Sequence, residues 1–254
     1  MPRHVEAWMD GMALSAIGPF SIKQVTEAAP TMSTQTGERA GRYGQIITGR
    51  KRQSLKVTMD VVILELHDLA RRARLTEQLA AWAAGRVLEL SHHQGRRLHV
   101  TCTGVPTVGN ARDYNAAIRI EWTAFAVPYW EDTTENAATL TGSTGTGTLW
   151  IDGTEETPVD VRVEATGGKL TSFLVTVAGR RIELKELNLP KGSVLTFSRD
   201  DRDDLIIRCG TEGLLSHRTA GSADDLMVRP GSTYINYTAN TSCRVTYIAH
   251  GRWL

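Results

Sequence analysis

Leu55, Val57, Met59, Val61 and Ile63 alternate with Lys56, Thr58, Asp60 and Val62, the period-two pattern of a strand with one face on a core. The period then changes. Between Asp68 and Ala84, Leu75, Leu79, Trp82 and Ala83 recur three and four apart beside Leu69, Ala73 and Ala80, while Arg71, Arg74 and Gln78 take the opposite face. This predicts a helix over about 68–84. Asp68 is placed to cap its first amides, and Gly85 to supply the left-handed residue that ends it. Arg86-Val-Leu-Glu-Leu and Arg97-Leu-His-Val-Thr-Cys then flank Ser91-His-His-Gln-Gly95 as a hairpin. After the polar loop Gly109–Asn115, a strand from Ile118 runs into Pro128-Tyr129-Trp130.

Pro128 removes a backbone donor and ends ladder pairing, and Tyr129 and Trp130 are costly to leave in water, so this motif is expected to pack at a junction between modules. The tract Thr133–Thr148 is rich in glycine and hydroxyls and reads as a linker or a polar edge. Beyond it every pattern is β: Val159–Glu164, a Gly167-Gly168 turn, Phe173–Val177, Arg181–Leu184, Ser193–Ser198, Leu205–Cys209, Thr233–Tyr237 and Arg244–Ala249. The expected fold is mostly β, an α+β domain over 1–135 with a small sheet, a hairpin and one helix, followed by a β-sandwich over 136–254.

Composition excludes several classes. Hydrophobic residues make up 41% of the 254 positions and no apolar run is long enough to cross a bilayer, so no membrane insertion is expected. The start has acids inside its apolar stretch and lacks the form of a secretory signal. Cys102, Cys209 and Cys243 stand far apart in apolar or alternating runs and read as buried thiols of a reducing compartment. Twenty-nine basic against 28 acidic residues leave a net charge of +1, and the short runs Arg50-Lys51-Arg52 and Arg71-Arg72 read as solvated, so no sequence-specific nucleic-acid partner is expected.

No nucleophile elbow, phosphate loop, dinucleotide fingerprint or zinc-protease helix occurs, and no catalytic residue or cofactor is expected. His92-His93 with His99 is the best metal candidate, but adjacent strand or turn histidines are expected to point to opposite faces and no matching carboxylate or thiolate set stands nearby, so no metal site is expected either. Asp200-Asp201-Arg202-Asp203-Asp204 has the hard oxygens calcium requires but lacks the loop glycine and distal glutamate. Binding or assembly remains. Exposed aromatics on one face of the second domain, drawn from Trp150, Tyr234 and Tyr237, would mark a non-catalytic carbohydrate-binding module.

The opening Trp8-Met-Asp10-Gly11, the Gly41-Arg-Tyr-Gly44 turn with basic residues feeding the Leu55 strand, the lone helix and the strand ending in Pro128-Tyr129-Trp130 stand in a distinctive order. Pro230-Gly231 before an extended strand, and a close on Tyr247-Ile-Ala-His-Gly-Arg252-Trp253, complete it. In these features the chain resembles the distal tail proteins of long-tailed bacteriophages. Val127, where an acid often precedes the proline, and Ser232-Thr233, where asparagine is common, depart from the pattern and leave the register of those strands open. The resemblance implies a galectin-like second domain and a homohexameric ring at the end of the tail tube that serves as an assembly hub. It further implies partners in the tail tube protein, a tail-tip or tail-associated protein and receptor-binding proteins. The location it implies is the virion tail, after synthesis in the host cytoplasm. The Val87–Cys102 hairpin and the N-terminal arm are the candidate edges for ring contacts.

Overall fold

The computed structural model describes residues 5–38, 45–64, 68–104, 117–200 and 202–254, the side chains of Glu38 and residues 45–51 excepted. The chain divides into two compact units, Met1–Trp130 with Leu254, and Glu131–Trp253.

The first unit opens with β1 (Ala7–Met9) and β2 (Met12–Ala13), joined by Asp10-Gly11. Both turn residues have positive φ, 50° and 78°, the mirror-image turn that matches strand twist and that Asp-Gly tolerates. There follow a short helix α1 (Leu14–Ile17), β3 (Phe20–Ala28), β4 (Met32–Glu38), β5 (Gln45–Arg52), β6 (Leu55–Ile63) and the long helix α2 (Leu69–Ala83). The unit then continues through β7 (Val87–Leu90), β8 (Arg96–His99), β9 (Thr101–Gly104) and β10 (Ile118–Ala124). Two antiparallel sheets result, one ordered β2-β1-β7-β8 and the other β3-β6-β10-β9. The chain changes sheet at Val100, between β8 and β9. The loop expected at 109–115 and the turn at 41–44 lie outside the described residues.

The alternation in β6 does what its period implies: Leu55, Val57, Met59, Val61 and Ile63 are all buried. Trp122 on β10 sits opposite Val57 and so shares that face. Trp122 meets Trp82 of α2 edge-on with centroids 6.1 Å apart, and its Nε1 donates to the Ala83 carbonyl at 2.9 Å. The Asp68 side chain accepts from the Arg71 amide and caps α2 as the sequence suggests. Gly85 does not work as a left-handed stop. The α2 exit residue Ala84 is right-handed, and Gly85 is absent from the positive-φ positions. It is glycine for space, because a Cβ there would stand 2.3 Å from Met9 Cγ and 2.5 Å from Asp10 Oδ2. That Asp10 carboxylate accepts the Arg86 and Val87 amides, so the opening hairpin clasps the chain as it leaves the helix.

β11 (Trp130–Asp132) carries the chain into the second unit, which contains β12 (Asn136–Ile151), β13 (Thr157–Pro158), β14 (Asp160–Ala165), β15 (Phe173–Val177) and β16 (Arg180–Leu184). It continues with β17 (Val194–Arg199), β18 (Leu205–Cys209), β19 (Glu212–Gly213), β20 (Met227–Val228), β21 (Gly231–Ala249) and β22 (Arg252–Trp253). The strands expected at 233–237 and 244–249 are one strand of 19 residues. β12 pairs with β21 along its whole length, from Asn136↔Ala249 to Ile151↔Gly231, while on the opposite edge β15 takes the first part of β21 and β14 the second. The sandwich is therefore made by a single sheet, ordered β16-β15-β21-β14-β17-β18-β19 with β12 also on β21, that curls over one core. Phe173 of β15 and Phe197 of β17, from opposite wings, meet there at 5.9 Å.

The Thr/Gly tract is thus not a linker but the polar edge that its composition also allows, for β12 pairs with β21 alone among the described strands. Its glycines sit where large neighbours cross: Gly145 lies opposite Tyr237, whose ring would be 2.6 Å from a Cβ. The Tyr237 hydroxyl donates to the carbonyl of Gly142, which at φ +122° forms the irregularity in the ladder. Cys243 is buried as expected, but Cys102 and Cys209 are only partly so, and all three are free thiols. We predict that Gly145→Val destabilises the second unit by about 2 kcal/mol, while Thr146→Val on the exposed face changes stability by less than about 0.5 kcal/mol, both measured by denaturant unfolding.

Candidate functional site

Assembly surfaces are read first from unsatisfied backbone. β3 and β6 are backed by β10, but beyond Ala28 and Lys56 their continuation, β4 with β5, is a separate two-stranded sheet in register from Met32↔Arg52 to Glu38↔Gln45. A side-chain hydrogen bond of 2.8 Å from Thr31 to Gln53 marks its base. The described β4 side chains, Ser33, Thr34, Gln35 and Thr36, are polar, and Met32 is 49% exposed. A two-stranded ribbon is marginal alone in water, so this arm is suited to a surface that another molecule supplies. Periodicity could not find it, because it has no hydrophobic period. Of the edges proposed from sequence, the Val87–Cys102 hairpin is covered by β1 on its β7 side, and the opening hairpin forms that sheet's β2 edge, where Met12 is exposed.

Trp130, the last residue of the first unit, is buried. Its Nε1 donates to Glu27 Oε2 at 3.0 Å, and its ring lies 4.3 Å from that of His93. His92 Nε2 stands 2.6 Å from Glu27 Oε1, and His93 Nε2 stands 2.8 Å from Oε2 and 3.0 Å from Oε1. The two imidazoles therefore converge on one carboxylate. They do so because they occupy a turn rather than a strand: the His93 amide bonds the Leu90 carbonyl, and the Arg96 amide that of His93. Glu27 lies near the end of β3, 65 residues before His92, so sequence spacing gave no sign of it. Burial pushes the Glu27 carboxyl up, but hydrogen bonds from His93 and His92 and their charge outweigh it and hold it at about 2. His99 points elsewhere, exposed on β8. An open cavity of about 460 Å³ adjoins the cluster, bounded by Trp8, Leu90, His93 and Arg96 among others. Pro128 is buried and Tyr129 half-buried.

In the second unit the closing motif is an anchor. Trp253 Nε1 donates to Asp132 Oδ1 at 2.8 Å, and the Asp132 amide to the Gly251 carbonyl. Arg252, 2% exposed, gives Nε to Glu131 and both terminal nitrogens to Asp203 at 3.0 and 2.8 Å. Asp203 is therefore an internal counter-ion, and Asp200 accepts the Arg202 and Asp204 amides, which hold its carboxyl below the usual range. With these oxygens so engaged, the described part of the acidic run is a structural turn rather than a calcium loop; Asp201 lies outside the described residues.

Pro230 is exposed and Gly231, at φ +112°, opens β21 in the register Ser232↔Trp150 and Thr233↔Leu149. Trp150 and Tyr234 share the outer face of β12 and β21, 61% and 55% exposed, whereas Tyr237 is core.

No protein-family model matches the sequence, and no curated protein matches it. Solved structures do. The SPP1 Dit protein, described as a paradigm of the hub adsorption apparatus in phages that infect Gram-positive bacteria, aligns with TM-score 0.69 at 13% identity over 98% of this chain and 99% of its own. A chain of the phage P2 baseplate in its activated conformation with Ca aligns with TM-score 0.54 at 10% identity, over 99% and 98% of the two chains. A chain of the same baseplate with Sr aligns with TM-score 0.53 at 9% identity, over 97% of each. The chain has the fold of these proteins along its full length.

Asp160 yields a pH prediction. Burial raises its carboxyl from 3.8 to about 6; Arg199 and His250 oppose the rise, and Glu131 and Asp203 add to it. A carboxyl raised on folding stabilises most below its unfolded value, and that contribution is lost as pH climbs through about 6. Asp160→Asn, which keeps the uncharged shape, should therefore gain about 2 kcal/mol relative to the parent between pH 4.5 and 7.5, read from denaturant melts at the two pH values.

Proposed function

We propose that the chain is a distal tail protein, a structural component of a long-tailed phage that closes into a ring of six at the end of the tail tube and carries the baseplate or tail tip. One observation carries this reading: the likeness to a phage hub protein spans 98% of the chain and so takes in both units together. The arm supports it, because a ring of identical subunits needs a heterologous contact that closes, and an unbacked ribbon offers main-chain donors and acceptors to the next copy. The tail tube protein would meet one face of the ring. Tail-tip and receptor-binding proteins would meet the other face or the second unit. The net charge of +1 suits a lumen that must release the phosphates of a passing genome. The role is mechanical and adhesive rather than catalytic, and its place is the virion tail, reached after synthesis in the host cytoplasm.

A second reading, a carbohydrate-binding module, draws on Trp150 and Tyr234, whose exposed rings share one face as sugar-stacking platforms do.

Light scattering at high concentration, with negative-stain images, should give particles six times the 27.9 kDa protomer. Replacing residues 32–52 with a short Gly-Ser turn should abolish the ring and leave a folded monomer with an unchanged core transition. A parent protein that stays monomeric at every concentration removes the ring. For the second reading, glycan binding that falls at least tenfold in Trp150→Ala with Tyr234→Ala would favour sugar recognition, and absence of any glycan binding by the parent would dismiss it.

A further inference from the structure

We propose that Glu27, His92 and His93 form a binding site for a first-row divalent transition metal of the zinc class, set at the root of the β4–β5 arm. The ligand atoms of these residues lie within 4.8 Å of one another. Two imidazole nitrogens with one carboxylate oxygen make a borderline donor set that suits zinc, cobalt or nickel, whereas calcium takes oxygen ligands.

The geometry needs little change. In a tetrahedral site with bonds of about 2.0–2.1 Å, ligand atoms stand roughly 3.3 Å apart. Glu27 Oε1 is 2.6 Å from His92 Nε2 and 3.0 Å from His93 Nε2, so these distances open by about 0.7 and 0.3 Å to admit the ion. The His92 ring, 40% exposed, is free to give that distance. Each ring then keeps its proton on Nδ1 and offers Nε2 as the ligand.

The surroundings are those of a supported site. Trp130 Nε1 donates to Glu27 Oε2 at 3.0 Å and fixes the carboxylate, the orienting hydrogen bond that metal-ligating carboxylates carry. The same indole lies against the His93 ring at 4.3 Å and limits its rotation. Three protein ligands leave a coordination position on the exposed His92 side for water or an incoming donor. The ion would cross-link the end of β3, where the arm begins, to the turn between β7 and β8.

The test uses the untagged full chain, stripped with EDTA and dialysed against zinc chloride, with bound zinc per chain and the thermal midpoint as readouts. We expect one zinc per chain and a raised midpoint. Cobalt chloride in place of zinc should give the visible absorption of a tetrahedral ion. His92→Ala with His93→Ala should remove both the zinc and the rise in midpoint. Glu27→Gln should weaken binding by at least about tenfold, and Trp130→Phe, which loses only the donor to the carboxylate, by about tenfold. His99→Ala should change nothing. Should the double variant fail to fold, His92→Ala alone decides, because that side chain is at the surface. The proposal is overturned if the parent takes up no zinc, if His92→Ala binds it as tightly as the parent, if His99→Ala abolishes binding, or if calcium displaces zinc at equal concentration.

Discussion

A two-stranded ribbon gains from a third strand, and β4–β5 pairs with none among the described residues of its own chain. The rest of the functional picture depends on that constraint. β3 and β6 are held by β10 on one side and by the α2 core on one face, so the ribbon has a rigid root and an unsupported end. Backbone groups at such an end bond water in the free chain and exchange it for another backbone at modest net gain per bond, so affinity must come from many bonds made together.

Polar anchoring supplies the precision around that root. Glu27 takes donors from His92, His93 and Trp130, three residues that arrive from two distant parts of the sequence. In the second unit Arg252 plays the matching part, with Glu131 from the unit's beginning and Asp203 from the β17–β18 turn. A buried guanidinium is expensive to desolvate, and losing both carboxylates would leave it uncompensated. Such groups specify which loops meet more than they add to stability.

Much of the architecture was legible in the sequence, and the exceptions have physical causes. The alternation in β6 and the three-and-four spacing of α2 were readable because each has one face on a core. The Thr133–Thr148 tract left linker and polar edge undecided because glycine hides a strand whose core-facing positions lie under Tyr237 and Leu140. Residues 233–237 and 244–249 were read as two strands because the polar stretch Asn240-Thr-Ser between them imitates a turn, although β12 pairs on both sides of it. Gly85 was assigned a backbone role when its lack of a side chain was what mattered. The rule that adjacent histidines face opposite ways fails in the turn at His92-His93, and Glu27 could be found only once the fold had brought β3 beside it. Trp130 stood out as an aromatic in need of a partner; which partner was beyond the reach of a single sequence.

The salt bridge between Glu131 and Arg252 means that the second unit begins and ends at the same spot. A module whose two ends coincide behaves as a cassette. Another fold with equally close termini could take its place without the entropic cost of closing a longer loop.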